Sequence, residues 1–308
     1  MKKVILLSNG HDFKTSLECH IRKKYQDLSK VWIENNVRII RSSNYEYDEK
    51  KNSFARWEYF DGVKWIDIKD ITADLVWYKS NITNYITTII EKNNTFINPT
   101  DYIDFANDKY ITSLFFKEES PKTYILNQAS IENIVHLPEN IILKPNWWSW
   151  GRGILKIKKS QLIEYNPSDY SNYIIQEALD LSTWIDWVVE WIHDIRFMVL
   201  WNKTMDYVLI RTPPKNDFRC NITAGGLWEY KKTSDLPQDM LDFINPIIKK
   251  IFWRFGSLFG SIDISKAGWK YYIIEFNSSP WINTFRFNSK LENIYFQKTI
   301  ELFKNFKM

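Results

Sequence analysis

Gly260-Ser261-Ile262-Asp263-Ile264-Ser265-Lys266-Ala267-Gly268-Trp269-Lys270-Tyr271-Tyr272-Ile273-Ile274-Glu275-Phe276-Asn277-Ser278-Ser279-Pro280 is the stretch on which the fold turns. Ser261 to Ile264 and Tyr271 to Phe276 read as strands, and a turn at Lys266-Ala267-Gly268 folds them into a hairpin that sets Asp263 opposite Glu275. Asn277 lies two residues beyond Glu275 and therefore points to the same face. Carboxylates within apolar strands are costly to bury unless they bind a cation. Two carboxylates and an amide oxygen, completed by water and phosphate oxygens, suit octahedral Mg2+.

Outward from this hairpin, strand patterns recur at Ile195 to Leu200 and Tyr207 to Arg211, with helices near Gln238 to Phe255 and Leu291 to Phe306. Upstream, Thr123 to Leu126, Ile141 to Lys144, Ile154 to Ile157 and Tyr173 to Gln176 are strand-like, with a helix around Ser160 to Tyr165. The first hundred residues alternate short β-branched runs with helical stretches. They carry a hairpin, Phe54 to Phe60 and Val63 to Ile68, joined at Asp61-Gly62. Asp104 to Lys117 has helical spacing with Asp or Asn as cap. The expected architecture is α/β (α+β) in three lobes, 1–97, 98–180 and 181–308.

Three other segments carry chemistry. Lys144 leaves a strand ahead of Asn146-Trp147-Trp148-Ser149-Trp150-Gly151-Arg152-Gly153. A point charge and loop N–H groups there suit a polyphosphate, although two loop glycines more often mark an ordinary turn. Gln176-Glu177-Ala178-Leu179 ends a strand whose backbone suits an adenine edge; a solvated acidic turn explains it equally well. Arg196, Arg211, Arg219 and Asn221 suit bidentate clamping of phosphate and carboxylate oxygens, with surface salt bridging as the alternative. His193 abuts Asp194 and Arg196, which makes it the one histidine with a stake in substrate contact; His11, His20 and His136 stand alone.

In a chain of 308 residues, 41 Lys and Arg exceed 37 Asp and Glu by only four, which falls short of a nucleic-acid signature. Cys19 and Cys220 are too few for a disulfide framework or a zinc site, so the expected compartment is the reducing cytoplasm. Met1 to Ser8 reads as a first strand rather than a signal peptide, and no uncharged apolar run reaches membrane-spanning length.

From Asn107-Asp108-Lys109 and Ser120-Pro121-Lys122-Thr123 to Asn277-Ser278-Ser279-Pro280, the ordered set resembles the ATP-grasp superfamily. The nearest branch holds glutathione synthetase and the RimK-like ligases that add glutamate to a protein tail. The resemblance implies an ATP-grasp fold, with a Rossmann-like N-terminal lobe and two α+β lobes sandwiching ATP. It implies that Lys109 and Lys144 bind nucleotide phosphates, that Trp147 to Gly153, including Ser149, Gly151 and Gly153, closes over them, and that Gln176, Glu177, Ala178 and Leu179 line the adenine pocket. By the same resemblance Asp263, Glu275 and Asn277 hold magnesium, two ions with Mn2+ as a substitute, and Arg196, Arg211, Arg219 and Asn221 face phosphates, acyl phosphate and acceptor. The implied activity is ADP-forming carboxylate–amine ligation on an amino acid, peptide or protein, without nucleic acid or membrane partners and with homo-oligomerisation open. A kinase on the same fold and a nucleotide-binding regulator are the rivals. Trp147, Trp148 and Trp150 replace the small residues usual in this loop, the connection from Gln176 to Asp194 is longer than in the glutamate ligases, and Trp281 stands where a glycine commonly follows the proline.

Overall fold

The computed structural model describes residues 1–8, 19–78, 83–127, 136–147, 152–164, 172–256, 258–279 and 288–305. Its strands form three sheets. The first contains β1 (Lys2–Ser8), β2 (Val37–Ser43), β3 (Tyr47–Asp48), β4 (Ser53–Phe60), β5 (Trp65–Ile71), β6 (Leu75–Tyr78) and β7 (Phe96–Ile97) in the order β3-β4-β2-β1-β6-β7, with β5 paired to β4. Its parallel centre is buried on both faces, which is why Val4 to Leu7 is apolar without alternation. Helix α1 (Cys19–Glu34) covers one face through Leu28 and Trp32, and α2 (Tyr85–Asn93) covers the other through Ile90.

The β4–β5 connection departs from the expected two-residue turn. Phe60 pairs with Trp65, and Asp61 to Lys64 form a four-residue loop because the Asp61 carboxylate accepts from the Val63 and Lys64 N–H groups, both at 2.8 Å. Such a side-chain turn competes with the strand continuation that periodicity alone suggests.

The single helix expected over Asp104 to Lys117 is two, α3 (Thr100–Asn107) and α4 (Lys109–Phe115). Asp108 interrupts them as the N-cap of α4, accepting from the Ile111 N–H at 2.9 Å. The second sheet follows: β8 (Thr123–Ile125), β9 (Asn140–Pro145), β10 (Leu155–Lys158) and β11 (Tyr173–Glu177), antiparallel in the order β10-β9-β11-β8. The helix expected near Ser160 to Tyr165 is a 3-10 segment, Lys159–Glu164, that inserts Leu162 into this sheet's small core.

The third sheet is antiparallel, β14-β13-β12-β15-β16, built from β12 (Asp194–Trp201), β13 (Lys203–Thr212), β14 (Leu227–Lys232), β15 (Leu258–Ala267) and β16 (Lys270–Asn277). Lys266 and Ala267 remain in the ladder opposite Tyr271 and Lys270, so the hairpin turn is Gly268-Trp269, one residue later than expected. One face, with Ile195, Phe197, Val199, Val208, Ile210, Ile262 and Ile264, packs on helix α5 (Gln238–Phe255) and on Tyr102, Phe105 and Phe116 of the α3–α4 segment. Along the other face the strands change character. Met198, Leu200, Met205 and Phe259 pack against the last helix, α6 (Ser289–Asn305), which also covers Trp32 and Trp77 of the first lobe. The remaining part of that face is charged.

Asn98 pins the first sheet's end to the third. Its Nδ2 donates to the carbonyls of Phe259 (2.7 Å) and Ser278 (2.5 Å), and its Oδ1 accepts from the Phe259 N–H (2.7 Å), all buried.

Candidate active site between the second and third sheets

Strand alternation sends Asp194 and Arg196 of β12, Arg211 of β13 and Asp263 of β15 to one face. Register sets Asp263 beside Arg196 on one side and Glu275 on the other, and Asp194 opposite Arg211. The result is a continuous buried ion chain. Arg196 grips Asp263 with a two-pronged fork, Nε to Oδ1 at 2.7 Å and Nη2 to Oδ2 at 2.6 Å. Arg211 adds Nη2 to the same Oδ2 at 2.7 Å and gives its Nε to Asp194 at 2.5 Å. Burial alone would raise the Asp263 carboxyl, but the two guanidinium groups outweigh it and hold it below the ordinary carboxylate range. Asp194, buried and sharing Arg211 with Asp263, is pushed up to about 6. Burial works against the Arg211 cation, yet its two carboxylates shift its titration further upward, so it stays charged.

The second sheet supplies the opposing wall. Lys144 sits in β9 and is buried; burial first, then the neighbouring Lys109, lower its ammonium to about 8 against the opposing pull of Glu275. Lys109, the first residue of α4, places Nζ 3.4 Å from Glu275 Oε1 and donates to the Asn146 carbonyl at 3.2 Å. Asn146 in turn ties the cap to the sheet: its Nδ2 donates to Asp108 at 3.0 Å and its Oδ1 accepts from the Tyr110 N–H at 2.9 Å. The cleft between the walls is lined by Lys109, Lys144, Pro145, Arg152, Ile154, Asp194, Arg211, Asn221, Asp263, Ile274 and Glu275. With Arg196 behind Asp263, five cations meet three carboxylates, leaving an excess of positive charge that suits a polyanion.

The remaining expected site residues divide. Ser149 and Gly151, with Trp148, Trp150 and Trp281, lie outside the described residues, as does His11; Gly153 is described and admits no side chain. Its φ is +73°, and a Cβ would stand 2.6 Å from the Tyr173 hydroxyl. Gln176 donates to Thr123 Oγ1 at 2.8 Å, and the Glu177 carboxylate accepts from the Lys122 N–H at 2.8 Å, so both side chains serve the sheet. Ala178 gives its N–H to the Asn140 carbonyl. Asn221 reaches the cleft, whereas Arg219 does not line it. Asp217 holds Arg219 through Nε at 3.0 Å and Nη2 at 2.6 Å after a tight side-chain turn, a correction to the expected arginine cluster. His193 is fully buried away from the cleft wall, with Nδ1 against the Trp191 carbonyl at 2.8 Å and Nε2 accepting from the Lys266 N–H. Burial lowers its titration, so it is a neutral packing residue.

Asp263 needs no metal to be buried, contrary to the expectation from the sequence, because Arg196 and Arg211 already pair with it. Among the described residues no three of His, Cys, Asp and Glu cluster as a metal site. The residue types nevertheless fit a hard cation: Glu275 faces Asp263 across the hairpin, and Asn277, two residues beyond Glu275, offers an amide oxygen. Asp194, Asp108 and Asn146 were not expected as site residues, and Arg152 was expected only as part of the loop Trp147 to Gly153. The signal for Asp194 was its two-residue offset from Arg196, which puts both on one strand face.

Residues 108–279, over half the chain, match the family model described as prokaryotic glutathione synthetase, ATP-grasp domain. A glutathione synthetase of Buchnera aphidicola subsp. Baizongia pistaciae is 24% identical over 278 residues, covering 84% of this chain and 81% of the relative. Among solved structures, the D-alanine–D-alanine ligase of Bacillus anthracis aligns over 98% of this chain and 96% of its own, with a TM-score of 0.64 at 12% identity. The macrocyclase MdnC of Microcystis aeruginosa MRC, bound with precursor peptide MdnA, aligns over 98% of this chain and 99% of its own, with a TM-score of 0.61 at 12% identity. At these identities the structural likenesses establish the fold.

Proposed function

The chain belongs to the prokaryotic glutathione synthetase ATP-grasp family, and from that premise we propose that it is an ADP-forming ligase that activates a carboxylate as an acyl phosphate and joins it to an amine, with a peptide as substrate. The observation that carries this reading is the cleft itself, where Lys109 and Lys144 face the Asp263–Glu275 hairpin with cations in excess. Lys144 and Lys109 bind the phosphates, and Gly153 fits its left-handed position against Tyr173 and Pro145 because it has no side chain. Leu179, whose N–H has no partner among the described residues, offers a donor for the adenine edge at the end of β11. Asp263, Glu275 and Asn277 would hold magnesium, which when bound would supply positive charge to the phosphate oxygens. Arg211, held by Asp194, and Arg196 orient the carboxylate and steady its oxygens as charge develops. Closure of the two sheets excludes water, which would otherwise hydrolyse the activated carboxylate.

The peptide reading is supported by the likeness to a macrocyclase whose structure contains a precursor peptide. The test is ADP release from purified protein with Mg2+ against pools of amino acids, dipeptides and longer peptides, followed by mass spectrometry of the acceptor. A product lighter by one water than its combined substrates supports the ligase. A stable phosphorylated product favours a kinase, and ATP binding without ADP release favours a regulator.

A further inference from the structure

The largest aromatic side chains of the first lobe are buried, Trp32, Trp57 and Trp77 among them. The connection between β11 and β12 does the opposite. Trp184, Trp187 and Trp191 are 60%, 72% and 60% exposed within eight residues, while Ile185 and Val188 between them are buried in the core of the third sheet. The segment is built, not loose. Ile185 and Val189 form an antiparallel bridge that sets Trp184 beside Glu190, with Asp186 and Trp187 in the turn. Trp187 Nε1 donates to the Asp235 carbonyl at 3.2 Å, and Lys231 donates to the Trp187 carbonyl. Thr183 accepts from the Gly268 N–H at 2.8 Å, bringing the hairpin tip, with Trp269 at 88% exposure, to the same end of the sheet.

Exposed tryptophans held on rigid backbone mark an interaction surface rather than a core. The charge around them selects the partner. Residues 178–192 contain Asp180, Asp186 and Glu190 and no Lys or Arg. Among the described residues no cation of this chain stands over the three rings: Lys231 lies at the edge of the patch, donating to the Trp187 carbonyl, and Lys266 lies 5.3 Å over the Tyr271 ring. Open indole faces flanked by carboxylates attract ammonium and guanidinium groups and repel anionic surfaces such as acidic lipid headgroups. The segment packs on the α5 face of the third sheet through Ile185 and Val188 and then leads into Asp194 at the start of β12. We propose that Trp184, Trp187 and Trp191 with Asp186 and Glu190 form a docking surface for a lysine- or arginine-bearing segment of the peptide substrate, away from the residues that bind nucleotide.

This deepens the peptide-ligase reading, and its test needs no turnover. A ten-residue peptide alternating lysine with alanine, and its glutamate counterpart, are titrated into nucleotide-free protein while tryptophan fluorescence is followed. The lysine peptide alone should give saturable quenching that weakens with salt. The triple variant Trp184→Ala, Trp187→Ala, Trp191→Ala should weaken binding roughly tenfold to a hundredfold. Asp186→Asn with Glu190→Gln, which leaves every indole in place, should weaken it in the same direction and keep the wild-type unfolding curve. Equal affinity for the two peptides, no binding of either, or unchanged affinity in the charge variant would overturn the proposal. So would burial of these tryptophans only by self-association or only on phosphatidylglycerol vesicles. If the peptide docks and no ligation is found, the ligase reading fails alone; if ligation is found and the peptide does not dock, the surface fails alone.

Discussion

Lys144→Met should make the nucleotide-free protein more stable while removing its affinity for ATP. Lys144 is buried in β9, and its ammonium is lowered from the ordinary 10.5 to about 8 because burial and Lys109 disfavour the charge more than Glu275 favours it. The folded chain therefore holds fewer protons at this site than the unfolded chain between about pH 8 and pH 10.5, so wild-type stability rises with pH across that window. Below pH 8 the charged lysine carries its whole penalty, a shift of about 2.5 pH units or roughly 3 kcal/mol. Methionine keeps most of the stem and removes the charge. At pH 7 the variant should gain up to about 3 kcal/mol, roughly 6 °C in melting temperature for a chain of this length, and by pH 10.5 the difference should have vanished. Urea unfolding at a series of pH values measures both curves. A variant less stable than wild type at pH 7, or a gap that does not close with rising pH, would refute the reasoning that this lysine is kept for a ligand and not for the fold.

Asn98→Ala should cost about 3 kcal/mol or more in urea unfolding, because it strands three buried backbone groups of Phe259 and Ser278 at once. Gly153→Ala should weaken ATP binding at least tenfold in calorimetry with little loss of global stability, since a methyl group there collides with the Tyr173 hydroxyl and the backbone is left-handed. His193→Gln should lower stability while leaving the pH profile of ADP release between pH 5.5 and 8 unchanged in shape, because the neutral imidazole lies outside the cleft.

Most strands could be read in the sequence because core positions alternate over short runs, as in Ile195, Phe197 and Val199, and alternation also placed Glu275 and Asn277 on one face, although a register irregularity beside Asp263 puts Ile273 and Phe276 three residues apart in the core. What alternation gives is a face and not a partner. The fork from Arg196 to Asp263 depends on register between strands 67 residues apart, so the carboxylate that reads as needing a metal is already paired. Local side-chain bonds account for the misplaced boundaries: Asp61 lengthens a hairpin turn and Asp108 splits a helix, each by competing for backbone N–H groups over two or three residues. Arg219 belongs to the same class, drawn to Asp217 within its own loop. The wrapping of α6 around Trp32 and Trp77 was hidden for a different reason, since an amphipathic C-terminal helix does not say which apolar surface it covers.

The central claim is that the cleft binds ATP through a metal held on the third sheet, and calorimetric titration of ATP with and without Mg2+ into wild type and Glu275→Ala tests it most directly. Wild type should bind far more tightly with Mg2+ than without, and Glu275→Ala should lose that difference while unfolding like a native protein. Equal Mg2+ dependence in the two proteins would contradict the assignment.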